Sequence, residues 1–189
     1  MRRSLKGGQF YGTALKKRSV SGLLLVDSFH PAGTRLPRHA HERAYFCVNR
    51  GGEYVEHYGR RTRTCQEGMV TFHPAGEVHW EVHKASPVRS LNVEFTPEWL
   101  KRVLDYAGPL DQPAEFRGDA VAASTLQLAR EFDEADEDSD AAIESLALEI
   151  LGAATCVRVA ATGTPRWLAD ALDLLDGHLH ERLTLGSLA

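Results

Sequence analysis

The chain has 189 residues, a formal net charge of -4, 43 % hydrophobic and 25 % charged side chains. That length accommodates one generous domain or a domain with an appendage, and no apolar run approaches the ~20 residues of a membrane span. The N-terminus lacks the apolar stretch and small-residue cleavage site of a secretory signal, and three scattered cysteines make no disulfide framework. A soluble cytoplasmic protein is expected, with Cys47, Cys65 and Cys156 all buried as small hydrophobes.

The first segment is basic, with Arg2, Arg3, Lys6, Lys16, Lys17 and Arg18. It reads as a solvated, disordered arm, or as an arm that touches DNA or an anionic effector. From about Val20 to Phe95 short apolar or alternating runs lie between glycine and proline turns, which predicts strands. The runs are Ser21–Phe29, Ala44–Asn49, Glu53–Tyr58, Thr62–Gln66, Met69–His73, His79–His83 and Val88–Phe95, separated by Gly51-Gly52, Gly59, Gly68 and Gly76. Strands at this spacing predict a sandwich or barrel. His30, just before Pro31, reads as a turn residue, and Trp80 and Trp99 as packing residues.

At Thr96-Pro97 the apolar period changes to that of helices. Leu100, Val103, Leu104 and Ala107 mark one, Val121, Leu128 and Phe132 a second, and Ile143, Leu146, Ala147, Ile150, Leu151, Ala154 and Val157 a third, with Asp138 to Asp140 as its candidate N-caps. Between the last two, Glu131, Asp133, Glu134, Asp136, Glu137, Asp138 and Asp140 form an acidic run, expected to be a solvated helix end and loop. Such a run repels phosphate and makes the body of the chain a poor nucleic-acid surface. After the break at Ala161–Pro165 a fourth helix is predicted on Leu168, Ala171, Leu172, Leu175 and Leu179. Its His178 and His180 do not share a helical face and read as solvated. Leu185, Leu188 and Ala189 then open a segment with nothing following against which to bury, so the chain is expected to be a fragment.

Two glycine-punctuated segments carry the chemistry, Gly33–His41 and Gly68–His79. On a strand, His39 and His41 leave the same face and can converge with His79 on one ion or ligand. Three neutral imidazoles with an open position suit zinc, iron, nickel or copper. Alternation also places Tyr45 with His41 and His83 with His79, so His39, His41, Tyr45, His79 and His83 can line an effector pocket with no ion at all. A third reading has the histidines satisfied by hydrogen bonds within the barrel. No nucleophile elbow, phosphate loop or CxxC pair is present.

The two segments resemble the paired motifs of the cupin superfamily, GxxxxxHxHxxxExxxxxxG and GxxxxxPxGxxHxxxN. Gly33, His39, His41 and Gly52 match the first, and Gly68, Pro74, Gly76 and His79 the second. Tyr45 replaces the usual glutamate and His83 the usual asparagine; Glu42 has the wrong alternation to substitute. A cupin-type barrel followed by helices and by Trp167–Leu183 resembles the AraC/XylS family of bacterial transcriptional regulators. The resemblance implies an effector-sensing cupin barrel (1–95), a helical dimerisation and linker region (96–163) and the truncated start of a helix-turn-helix domain (164–189), its recognition helices missing. It implies a homodimer, with Pro97–Ala107 and Val121–Phe132 as contact surfaces or as packing against the barrel. A small-molecule effector would alter how the paired domains engage DNA, and the chain itself would not be an enzyme. The alternatives are a metal-dependent cupin enzyme, such as a dioxygenase or isomerase holding zinc, iron or nickel on His39, His41 and His79, and a stand-alone cupin binding module.

Overall fold

The computed structural model describes residues 3–107, 110–134, 136 and 138–162. Residues through Ala154 form one compact unit and those from Thr155 a second, of which only the last turns of a helix are described. The expected fourth helix, His178, His180 and the start of a helix-turn-helix lie outside the described residues.

Among the described residues, eleven strands and three helices follow one another. They are β1 (Arg3–Leu5), β2 (Thr13–Val20), β3 (Leu23–His30), β4 (Arg35–His41), β5 (Tyr45–Gly51), β6 (Tyr54–Tyr58), β7 (Arg61–Cys65), β8 (Val70–His73), β9 (His79–His83), β10 (Val88–Phe95), α1 (Pro97–Ala107), β11 (Ala114–Phe116), α2 (Ala120–Glu134) and α3 (Ser139–Thr162). Two sheets result: a five-stranded sheet in the order β1-β4-β9-β6-β7 and a six-stranded sheet in the order β11-β8-β5-β10-β3-β2. All pairings are antiparallel except β1 on β4. Among the described residues no helix is long and apolar enough to cross a membrane.

The glycines predicted to turn the chain do so: Gly33, Gly52, Gly59, Gly68 and Gly76 all have positive φ. Gly52 is the tightest of them, since a Cβ there would lie 2.1 Å from the Pro87 carbonyl oxygen.

The six-stranded sheet has two unlike faces. Phe46 and Val48 on β5, Val70 and Phe72 on β8, and Leu91, Val93 and Phe95 on β10 join Val121, Leu128 and Phe132 of α2 and Ile143, Ala147, Ile150 and Leu151 of α3 in one buried apolar cluster. The intervening residues Tyr45, Cys47 and Asn49, Thr71 and His73, and Ser90, Asn92 and Glu94 are equally buried but turn to the other face, as the period of two requires. The principal core therefore lies between this sheet and the helices. Between the sheets Tyr54, Cys65, Met69 and Val88 make a small apolar cluster, and much of the remaining described interior is polar. The helical stripes expected at a dimer surface or against the barrel take the second place: Val121, Leu128 and Phe132 are fully buried within the chain. The side chains of Leu104, Ala107 and Val157 lie outside the described set.

Three expectations are corrected here, and one unforeseen strand is added. The basic arm is not disordered: residues 3–5 and 13–20 are strands, paired because a backbone that can continue the sheet satisfies its own polar groups. β11 at Ala114–Phe116, too short to show a period, adds an edge strand beside β8. The acidic run is not merely solvated, since it meets those basic strands. Lys16 Nζ donates to the carbonyls of Phe132 and, at 3.1 Å, of Asp133 at the C-terminal end of α2, where cations are favoured. Arg18 pairs with Asp140 at 2.7 Å, and Arg50 pairs with Asp133. Of the cysteines, Cys47 and Cys65 are buried, but Cys156 is exposed, because it falls off the apolar stripe of α3.

Candidate functional site

β4 and β9 are neighbours with His39 opposite His79, which brings the two histidine segments together at one end of the polar interior. His39 and His41, two apart on β4, both turn inward, and one ring nitrogen from each of His39, His41 and His79 lies within 4.8 Å of the others. The rings sit close, at 4.2 Å between His39 and His79 and 5.2 Å between His39 and His41. His39 Nδ1 is 2.8 Å from the Pro37 carbonyl oxygen; a carbonyl only accepts, so Nδ1 carries the proton and Nε2 keeps its lone pair. The Nδ1 atoms of His41 and His79 are buried without a partner.

Burial drives the protonation states here. It pushes His41 down to about 2 and His79 down to about 4, each helped by the neighbouring histidines, and lowers His39 as well. All three are neutral imidazoles at pH 7, the form that binds metal. Tyr45 stands beside them with its hydroxyl 3.2 Å from His79 Nε2 and its ring stacked on His73 at 4.5 Å. Burial raises the Tyr45 phenol well above its ordinary range, so it remains a neutral hydrogen-bonding group and no anionic ligand.

His83 is placed differently from the pocket residues expected with it. It shares the inward face of β9 with His79, but it packs behind the chamber against His30 and Tyr54, and its Nε2 lies 2.8 Å from Glu81. Glu81, the intervening inward residue, lines the chamber instead. Burial alone would raise its pKa, but the His83 hydrogen bond and the nearby His79, His83 and His30 outweigh that and lower it. A carboxylate on β9 thus supplies the charge that Tyr45 removed from β5. The period of two in HWEVH carries this signal, since residues 79, 81 and 83 must share a face. His30 is a buried strand end lining the same chamber rather than a turn residue.

A second group, Glu56, His73 and His79, also gathers ligand atoms within 4.8 Å. Arg63 already occupies the position of a cation there. Its Nε donates to Glu56, and its Nη2 lies 3.1 Å from His73 Nε2, so the lone pair of that nitrogen is engaged. His73 Nδ1 then donates to Glu77 Oε2 at 3.0 Å. Burial lowers His73 and Arg63 lowers it further. This network positions the inner wall of the chamber and leaves His39, His41 and His79 as the group with free donors.

The mouth is closed by the loop between β1 and β2. Phe10 lies 4.7 Å from the His41 ring and 5.2 Å from Tyr45, and Tyr11 packs edge-on against His39 at 4.8 Å. Glu94, buried on β10, holds this loop by accepting from the Gly8 amide at 3.0 Å and from Arg43 at 3.0 Å. The enclosed chamber measures about 30 Å³. A water needs at least ~10–15 Å³ and organic ligands occupy clefts of roughly 300–1,000 Å³, so the closed chamber is the size of an ion with its water.

The family model for the AraC-like ligand binding domain matches residues 24–151, which takes in β3 through the first half of α3. The chain belongs to this family. No curated protein matches it. Among solved structures the domain is similar to AerE from Microcystis aeruginosa, at 12 % identity over 42 % of this chain and 39 % of that one with a TM-score of 0.40. It is similar also to the DMSP lyase DddQ from Ruegeria pomeroyi DSS-3, at 21 % identity over 51 % and 43 % with a TM-score of 0.39. A third is a Cupin 2 conserved barrel domain protein from Salinispora arenicola CNS-205, at 15 % identity over 48 % and 78 % with a TM-score of 0.41. The domain thus spans less than half the length of the first two. Its own two-sheet topology is that of a cupin-like β-sandwich.

The ligand set fits a first-row divalent ion by its own chemistry: three neutral imidazoles with free nitrogens and one ionised carboxylate in a chamber of ion size. His39, His41 and His79 would hold the ion, Glu81 would balance its charge, and the ion would supply Lewis acidity toward a ligand.

Proposed function

We propose that this domain is the effector-sensing part of a homodimeric, sequence-specific DNA-binding transcriptional regulator, and that it is not itself an enzyme. The family match carries this reading, because it covers the barrel and the long helices together. Packing supports it too: α2 and α3 share their core with the sheet whose opposite face bears the polar interior. A change at that interior reaches the helices through a single layer of strands. Binding can alter a distant equilibrium only by favouring one of two arrangements, and a sheet wedged between site and helices is a short path for it. The regulator would act in the cytoplasm. The DNA-reading helix-turn-helix, begun in residues 164–189, and the DNA itself belong to this proposal.

Mobility shift of the DNA upstream of the gene, with the full gene product, tests the reading. Specific retention that changes with effector is expected; indifference of the protein to that DNA over non-specific competitor overturns it. One observation favours a second reading, the metal-dependent cupin enzyme: the His39, His41 and His79 group with its free nitrogens. Metal analysis after dialysis separates the two, since near-stoichiometric iron or nickel together with turnover of an organic substrate would establish catalysis.

A further inference from the structure

The histidine chamber is too small for an organic effector, but the outer side of the five-stranded sheet carries a cleft of about 500 Å³, within the range of small-molecule sites. Arg38 on β4, Trp80 on β9, the β6–β7 hairpin with Arg60 and Arg61, and Gln112 and Pro113 just before β11 form its walls. Its three arginines have no carboxylate partner among the described residues. Arg38 is ordered in advance: its guanidinium lies 3.9 Å from the centre of the Trp80 ring, and the His57 ring stacks on Trp80 at 4.7 Å. Stacking uses the flat face of a guanidinium and leaves the N–H donors in its plane free for the two oxygens of a carboxylate or phosphate.

A second feature narrows the ligand. Glu77 lines this cleft with its side chain only 9 % exposed. Its Oε2 is taken by His73 at 3.0 Å, whereas its Oε1 is buried with no partner. Buried acceptors are ordinarily satisfied, so this oxygen calls for a donor that the ligand can bring. Val78 and Pro113 add apolar wall for an organic body.

The geometry points to this cleft as a binding site for a small organic acid that carries a carboxylate or phosphate for Arg38, Arg60 and Arg61 and a hydroxyl or ammonium donor for Glu77. Its role as the effector site rests on the sensor reading above; its binding does not. Glu77 joins the two compartments, because the same carboxylate touches the cleft and, through His73, the wall of the histidine chamber. Gln112 and Pro113 place the ligand against the start of β11.

Isothermal titration of the whole chain with benzoate, 3-hydroxybenzoate, 4-hydroxybenzoate and phenyl phosphate tests this. At least one hydroxybenzoate should bind about tenfold more tightly than benzoate, and phenyl phosphate against benzoate distinguishes a phosphate from a carboxylate preference. Arg38→Gln should weaken binding about tenfold, and Glu77→Ala should erase the preference for the hydroxylated acid; Arg35→Gln, an exposed arginine outside the cleft, should change nothing. Circular dichroism confirms that each variant is folded. Absence of binding by all four probes at millimolar concentration, or binding indifferent to Arg38→Gln, overturns the proposal. A cleft that binds while DNA retention fails to respond would instead overturn the sensor reading alone.

Discussion

His41 and His79 sit among other imidazoles in a site that resists protonation, and this has a measurable consequence for the metal-free chain. Folded His41 titrates at about 2 and His79 at about 4, against 6.5 for the unfolded side chain, and His30, His39 and His73 are lowered as well. Below pH 6.5 the unfolded chain therefore binds more protons at these positions, and stability falls as pH drops. Glu77 and Glu56, which burial pushes up to about 7 and about 8, act in the opposite sense from pH 4.5 upward, where the folded chain holds the extra protons. The five histidines outnumber them, so denaturant midpoints should fall between pH 6.5 and 4.5, each fully engaged histidine contributing up to about 1.4 kcal/mol per pH unit; a flat profile there would contradict these neutral imidazoles. The sequence made most of this site legible, because the HxH spacing and the second motif force His39, His41 and His79 together. It put His83 in the pocket as well; the inward face is correct, but the depth depends on where Tyr54 and His30 pack. Glu81 was readable from the same alternation, though the motif directs attention to the asparagine position instead.

At the scale of the element, the N-terminal strands show where patterning runs out. β2 is mostly exposed, and its residues TALKKRSV carry little apolar alternation, so only the tertiary partners reveal it: β3 along one edge and the end of α2 beyond. Lys16→Ala removes the amine that caps the carbonyls of Phe132 and Asp133 and should cost roughly 1 kcal/mol, with faster amide exchange confined to the last turn of α2. β10 was by contrast fully legible, and its alternation states which residues belong to which face. Phe72→Ala, on the apolar face of β8 in the same sheet and fully buried, should destabilise by about 3–5 kcal/mol in a urea titration. Gly52→Ala is expected to be nearly as harmful, because the added methyl meets backbone at Pro87 and cannot be accommodated by a rotamer.

For the molecule as a whole, the placement of the core decides what can fold alone. The sequence divides naturally at Phe95, where strands end, yet the apolar cluster crosses that point and ties Phe46, Phe72 and Leu91 to Leu128, Phe132 and Ile150. A chain of residues 1–95 should therefore bind ANS and lack a cooperative thermal transition, whereas residues 1–162 should unfold cooperatively; a cooperative 1–95 would show that the helices are dispensable. Hydrophobic periodicity found the stripes on α2 and α3 but could not say what they cover, since a helix face looks the same against a sheet or a second subunit. What those helices leave outward is Leu126, 38 % exposed, and Leu148, 45 % exposed. If the homodimer forms through them, light scattering should give twice the monomer mass for the native chain and a monomer for the Leu126→Glu, Leu148→Glu double variant.

The two-faced sheet also bears on how such a domain can change over time. Because the residues that hold it together and the residues that line the polar chamber alternate along the same strands, neighbouring positions meet unlike physical demands. Tyr45, Cys47, Ser90 and Asn92 can be exchanged for other polar residues while Phe46, Val48, Leu91 and Val93 keep the fold, so the lining of the chamber can change without passing through unfolded intermediates. A library randomised at the first four positions should retain mostly folded members, and one randomised at the second four should not.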